Sequence, residues 1–346
     1  MAQKQLRIMS VEPRKAVYQE YEDGPLGADQ IRVAVDFAAA KHGTEFTIFR
    51  GDSVHAESTY DEKLQLFVKR PEGRQYLMGP GNMWVGRVTE AGASVSGIGP
   101  GARVAGYGSF KTTQTCKARD ALIMPEGMSW KSAVYYDPLQ FALGGVRDGN
   151  VRAGDSVVVF GLGAIGQMAA QLCKRAGALK VIVCDPVERL RDIALANGAD
   201  YALDSVGKDA GLIIKELTGG RGADVAIEAS GHSAALHTAI RALAYNGNIA
   251  VVGWHHEARG GLDFGCEAHF NQPNLFFSRA CSEPNRDYPR WDFARICAEC
   301  WEMLKRGWFS CENLVDPVVP FDKAAQTYMD IFRDASNSVK LGVSYT

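Results

Sequence analysis

The sequence predicts an α/β fold, a doubly wound parallel sheet (Rossmann) joined to a β-rich domain that reads as a small barrel or folded sheet. Three observations predict it. Residues 5–140 carry short alternating apolar runs separated by Gly and Pro, the pattern of half-buried strands. From about residue 150, short apolar runs alternate with amphipathic stretches of about 10 to 15 residues, which implies βαβ units and a parallel sheet. Glycine supplies 37 of 346 residues, more than the usual share of about 7%, and three of these glycines sit together at the end of one apolar run.

The first domain reads as strands at 31–37 (IRVAVDF), 84–90 (WVGRVTE) and 103–106, punctuated by glycine and proline as at 97–101 (GIGPG). Residues 52–76 form a polar insertion with little periodicity outside 62–68. The second domain reads as strand 155–160 (DSVVVF), helix 164–175, strand 180–184 (KVIVC), helix 187–197, strand 225–228, helix 233–244 and strand 248–252. A further strand is expected at 274–278 (NLFFS) and an amphipathic helix at 293–305 (FARICAECWEMLK), where apolar residues recur at i, i+3 and i+4. Beyond about 308, Pro317 and Pro320 lead to a helix at 321–332 and a terminal strand at 340–344. The expected organisation is residues 1–140 completed by 309–346, with 141–308 as the dinucleotide-binding domain.

Composition narrows the function. Lys and Arg number 38 against 40 Asp and Glu, a formal charge of −2, so the basic surplus that nucleic-acid binding needs is missing. The N-terminus has no apolar signal region, and no apolar run approaches the roughly 18 residues of a membrane span. The eight cysteines are dispersed. Cys297 and Cys300 form a CxxC, but on the apolar face of a helix, where packed thiols are expected rather than a redox or metal pair. A cytoplasmic, reduced protein with a small-molecule substrate is expected, without nucleic-acid or membrane partners.

Residues 157–166 (VVVFGLGAIG) run an apolar strand into G-x-G-x-x-G. Gly161 permits a tight turn, Gly163 lets the backbone approach a pyrophosphate, and Gly166 allows a helix to pack closely on the strand. The helix start at Ala164 and Ile165 presents free N–H groups and a positive dipole end to phosphates. Asp185 closes the next strand, where a carboxylate accepts ribose hydroxyls and repels a 2′-phosphate, so NAD is the expected cofactor. Arg189, one helical turn on, can stack on adenine or offset a phosphate. Ser230 and Gly253, in small-residue turns after later strands, are expected to line the same crevice.

This order of domains resembles the medium-chain dehydrogenase/reductase superfamily, the zinc alcohol and polyol dehydrogenases and their relatives, and the resemblance implies a GroES-like catalytic domain for the β-rich part. Gly43-Thr44-Glu45 is similar to the segment that follows the first zinc ligand, residues 81–86 (GNMWVG) to the G-H-E-x-x-G block, and Asp137-Pro138-Leu139 to the E-P-L of polyol dehydrogenases. At the family's zinc positions this chain has His42, then Asn82 with Met83, then Asp137. Only His42 and Asp137 are zinc donors, and zinc needs three. Between residues 80 and 130 there is only Cys116, so the four-cysteine structural lobe is missing too. The resemblance therefore implies a branch without catalytic or structural zinc, similar to bacteriochlorophyllide dehydrogenase-like proteins, acting on secondary alcohols.

Without zinc, a general base must take the hydroxyl proton as the hydride leaves, and His has the most suitable intrinsic pKa. The resemblance assigns that role to His42, with Asp137 orienting it and Thr44 relaying the proton. Lys41 competes, as a buried ammonium or a lysine of lowered pKa. Glu45, Asn82, Trp84, His269, Asn271 and Arg279 are the expected substrate shell. Glu45 would brace the 42–44 loop, and Trp84 would present a flat wall to a sugar ring. The expected activity is NAD-dependent oxidation of a secondary alcohol on a polar, sugar-like or cyclitol substrate, in a homodimer or homotetramer. The alternatives are an NADPH-dependent quinone or enone reductase and a catalytically inactive nucleotide-binding protein.

Overall fold

Alternation of apolar and polar residues turns the first part of the chain into sheet, and continuous apolar runs turn the second part into buried parallel strands. The computed structural model describes residues 5–51, 58–69, 76–255 and 261–345. The chain divides into two compact units, Met1–Val134 with Val315–Thr346, and Tyr135–Leu314. That division falls a few residues outside the expected one at both crossings, and it puts Asp137 in the second unit.

In the first unit β1 (Gln5–Glu12) and β2 (Lys15–Tyr21) pair as an antiparallel ribbon. β3 (Gln30–Ala39) follows, then helix α1 (His42–Phe49) and a hairpin of β4 (Ser58–Asp61) and β5 (Leu66–Lys69). This hairpin occupies the middle of the polar insertion, whose remaining residues 52–57 and 70–75 lie outside the described residues. β6 (Met83–Ala91), β7 (Arg103–Tyr107), β8 (Thr113–Lys117) and β9 (Leu122–Ile123) complete the run, with a short helix α2 (Trp130–Ala133).

The second unit opens with α3 (Tyr136–Asp148) and then alternates strictly: β10 (Ser156–Phe160), α4 (Ala164–Arg175), β11 (Lys180–Cys184), α5 (Glu188–Ala196), β12 (Tyr201–Leu203), α6 (Ala210–Leu217), β13 (Ala223–Glu228), α7 (Ser233–Ala242), β14 (Leu243–Val251), α8 (Glu267–Asn271), β15 (Asn274–Phe277) and α9 (Phe293–Lys305). The sheet order is β12-β11-β10-β13-β14-β15, every pair parallel. Val157, Val158, Val159 and Phe160 are wholly buried, as strands covered by helices on both faces require. The order reverses between β10 and β13, which makes their carboxyl ends the switch point where ligands bind in such sheets. Four elements of this unit escaped the sequence reading, α3, β12, α6 and α8. β12 has three residues and lies on the sheet edge, so its apolar signal is weak.

The tail returns to the first unit as β16 (Val318–Pro320), α10 (Phe321–Arg333) and β17 (Gly342–Ser344). β17 inserts between β16 and β3, giving the order β16-β17-β3-β6-β7-β9, with β8 also on β3. Its core gathers Ile8, Ile31, Val33, Phe49, Trp84, Phe110, Tyr328 and Leu341. Trp84 is therefore a core residue, 1% exposed, and not a wall for substrate. Its indole N–H donates to the Tyr107 carbonyl at 2.9 Å, and the ring fills space left by glycine. A Cβ on Gly106 would stand 2.5 Å from it, and one on Gly108 2.8 Å.

Candidate functional site

The dinucleotide turn is built from backbone. β10 ends at Gly161, whose φ of +85° suits glycine, and a Cβ there would meet Ser230 at 2.7 Å. Gly163 caps α4 with no side-chain hydrogen bond and has no heavy atom within 4 Å of a built Cβ. The first N–H groups of α4 therefore have an open approach for a pyrophosphate. Gly166 packs so closely on the turn that its Cβ would fall 1.8 Å from the Gly161 carbonyl oxygen.

Asp185 braces this turn. Its Oδ2 accepts from Leu162 N at 2.7 Å and its Oδ1 from Val187 N at 2.8 Å. Burial pushes its pKa up, opposed by those two N–H donors and by the charge of Arg191. A carboxylate has about four acceptor positions, so capacity for ribose hydroxyls remains. Arg191, which the sequence reading passed over, donates to the carbonyls of Asp185 and Pro186 at 2.7 and 2.9 Å. Arg189 stands half-buried in the first turn of α5.

A second carboxylate, also unanticipated, lies across the switch point. Glu228 ends β13 and is 0% exposed. It accepts from Ser230 N at 2.8 Å, from the Ser230 hydroxyl, from Gly231 N at 3.1 Å and from His255 Nε2 at 2.7 Å. A carboxylate closing an otherwise apolar buried strand was the available signal. His256 lies outside the described residues.

In the first unit, the segment expected to be a loop at 42–44 is the first turn of α1. Glu45 braces it from within: its carboxylate accepts from Lys41 N and, at 3.0 Å, from Gly81 N. Burial pushes the Glu45 pKa up, opposed by those backbone donors, by Tyr328 and by Lys340. The His42 ring stacks on Phe46, 4.9 Å between centroids and 6° from parallel, and Phe46 and Phe49 pack edge-on against Tyr328 and Phe332 of α10. The His42 Nε2 and Asn82 Oδ1 atoms are both buried with no hydrogen-bond partner among the described residues. Burial and, secondly, the charge of Lys340 push the His42 pKa down to about 3. The imidazole is thus neutral at ordinary pH, an acceptor whose protonated form is disfavoured.

The buried lysine beside this site is Lys340, not Lys41. It is 1% exposed, and its ammonium donates to the Ala40 carbonyl at 2.6 Å. Lys41 is half-buried and serves as the N-cap of α1. Thr44 is half-buried on the same first turn. Asp137, 5% exposed, opens α3.

Two substrate-shell expectations fail on topology. His269 and Asn271 lie on α8, immediately before β15, which runs parallel to β14 from the Asn248–Asn274 pair. They sit at the amino edge of the sheet, about 13 Å of strand away from the carboxyl edge where the glycine turns lie. Arg279 follows the carboxyl end of β15 and donates to the Ser282 hydroxyl at 3.1 Å.

The eight cysteines are free thiols, and burial raises the pKa of Cys297 and Cys300. Among the described residues, no group of three or more His, Cys, Asp or Glu could hold a metal ion, and no helix is long and apolar enough to cross a membrane. The carboxamide of Asn82 and thioether of Met83, where the resemblance places a zinc ligand, are not zinc donors, so this donor set does not fit a catalytic zinc.

Residues 164–289 match the family model described as zinc-binding dehydrogenase. The chain is 46% identical over 351 residues to the D-guloside 3-dehydrogenase of Escherichia coli strain K12, covering 98% of this chain and 99% of that one. It is 32% identical over 132 residues to the sorbitol dehydrogenase of Bacillus subtilis strain 168, covering 38% of this chain and 37% of that one. Among solved structures, the fold matches 2R,3R-butanediol dehydrogenase from Bacillus subtilis with a TM-score of 0.77 at 19% identity, over 99% of this chain and 100% of that one. It matches galactitol-1-phosphate dehydrogenase from Escherichia coli with a TM-score of 0.77 at 18% identity, over 98% and 99% of the two chains.

Proposed function

The chain belongs to the medium-chain dehydrogenase/reductase superfamily, and from that premise we propose that it is a zinc-independent, NAD-dependent dehydrogenase of a sugar-like secondary alcohol. One observation carries the cofactor: a glycine turn open at Gly163 and braced by the Asp185 carboxylate, the group that disfavours a 2′-phosphate. The substrate class rests on the full-length likeness to a D-guloside 3-dehydrogenase. A ring hydroxyl of a hexopyranoside, oxidised to the ketone at C3, is the proposed reaction.

When bound, the nicotinamide supplies the hydride acceptor. The chain's own residues manage the proton. His42 Nε2 accepts the hydroxyl proton, and because burial and Lys340 disfavour the imidazolium, it hands that proton to the Thr44 hydroxyl, which gives up its own to water, so one proton is released to solvent per hydride transferred. Asn82 offers its unpaired amide oxygen to a neighbouring substrate hydroxyl. Glu45 fixes the first turn of α1, and Asp137 and Arg279 remain candidate polar contacts. Assembly proceeds through the edge strand β15, whose Phe277 is 73% exposed, into a homodimer or homotetramer.

The test is a panel of alkyl hexopyranosides, free sugars and polyols with NAD or NADP, followed by reduced-nicotinamide absorbance before and after exhaustive chelation. Oxidation of a hexoside with NAD that survives chelation is expected. Activity lost on chelation overturns the zinc-free reading, and activity confined to NADPH and enones overturns the reaction.

A further inference from the structure

The turns after β10, β13 and β14 pack backbone on backbone. A Cβ on Gly161 would meet Ser230 at 2.7 Å, one on Gly231 would meet the Trp254 carbonyl at 2.9 Å, and one on Gly253 would meet Gly231 N at 2.3 Å and Glu228 Oε2 at 2.8 Å. Glu228 is the charged side chain inside this stack. A wholly buried carboxylate is costly unless its acceptor positions are filled, and here the donors come from both later turns. Ser230 and Gly231 follow β13, whereas His255 follows β14. The main chain makes the same link, since Val252 N and Gly253 N both donate to the Glu228 carbonyl at 2.8 Å. The His255 side chain is only 11% exposed. Without it, Glu228 Oε2 keeps only a share of Gly231 N at 3.3 Å.

The first half of the sheet, β10 to β12, carries the glycine turn and Asp185, which in such sheets serve the pyrophosphate and the adenosine ribose. The second mononucleotide half, β13 to β15, is left for the nicotinamide end. We propose that His255 is a positioning residue for that end of the dinucleotide, acting through its hydrogen bond to Glu228, which pins the β14 turn against the β13 turn. The inference rests on the dinucleotide reading above and adds a residue with no catalytic assignment. His255 does not touch reacting atoms. It keeps Gly231 and Gly253 in register, so the backbone groups facing the nicotinamide half are set before binding.

The measurement is the affinity of the full chain for NADH and for AMP, by titration, in wild type, His255→Ala and His255→Gln. His255→Ala is expected to weaken NADH by roughly tenfold, the order of one hydrogen bond to a charged group, while AMP affinity changes less than about twofold. His255→Gln, which restores an N–H donor, is expected to recover most of the loss. Equal weakening of NADH and AMP, or no change in either, overturns the assignment. If His255→Ala fails to fold, His255→Gln still decides: a glutamine variant that weakens AMP as much as NADH also overturns it. Wild-type protein that binds neither NADH nor AMP defeats the dinucleotide reading itself, an outcome distinct from the others.

Discussion

The two units make their polar sites from opposite materials. In Tyr135–Leu314 the site is main chain: glycine turns at strand ends, a helix start without a side-chain cap, and two carboxylates that bind backbone N–H groups. In the other unit it is side chain: an imidazole, an amide and an ammonium set among aromatic rings. A backbone site depends on local conformation, which a few glycines specify. A side-chain site depends on what distant segments pack beside it, and so on the whole unit.

The largest test of this contrast is Gly161→Val. With φ at +85° and a Cβ 2.7 Å from Ser230, the variant is expected to lose more than about a hundredfold in NADH affinity. Retained affinity would mean the turn is not backbone-limited. Next is His42→Gln, expected to lower kcat by about two to four orders of magnitude, as loss of a proton acceptor does, with NADH affinity within about twofold of wild type. A kcat near wild type removes His42 from the mechanism.

Lys340→Met comes third. It strips the Ala40 carbonyl of its ammonium donor, a loss of about 1 to 3 kcal/mol, measurable by urea unfolding. It also removes a charge that holds His42 neutral, so the acid limb of kcat against pH moves to higher pH. The folded-state sign is fixed: His42 titrates near 3 when folded against 6.5 in its ordinary state. Between those values the unfolded chain binds a proton that the folded chain does not, and stability falls as pH drops from 6.5 toward 3. His42→Gln should flatten that slope by about one proton. The smallest functional effect belongs to Trp84→Phe. It loses one buried hydrogen bond, about 1 kcal/mol of stability, and leaves KM for the sugar unchanged; a raised KM would return the indole to the substrate site.

The same contrast explains what was legible in the sequence. Gly161, Gly163, Gly166 and Asp185 are named by spacing alone, because the turn and the strand that carry them are local. The helices 164–175 and 293–305 match their observed bounds for the same reason. Lys340 could not be found this way: it reaches Ala40 from 300 residues away, and nothing in a lysine near the tail says that it is buried. Trp84 was misplaced because the start of β6, Met83 to Gly86, is buried on both faces, so alternation there does not separate core from surface. His269 and Asn271 were misplaced because spacing does not tell at which edge of the sheet a residue lies, and a helix that leads directly into the parallel strand β15 sits at the amino edge. Glu228 was legible in principle, as the acid that ends a buried strand.

The position of β17 bears on how the molecule is made. During synthesis from the N-terminus, all of Tyr135–Leu314 leaves the ribosome before β17 does, while β3 waits with the hydrogen-bonding edge that Gly342–Ser344 will later occupy. Until β17 emerges, the nascent chain carries an open sheet edge, a template for pairing with another chain. Lys340, whose charge adds to burial in lowering the His42 pKa, also arrives in that closing segment. The elements that form the glycine turn are therefore made before the strand that completes the unit around His42.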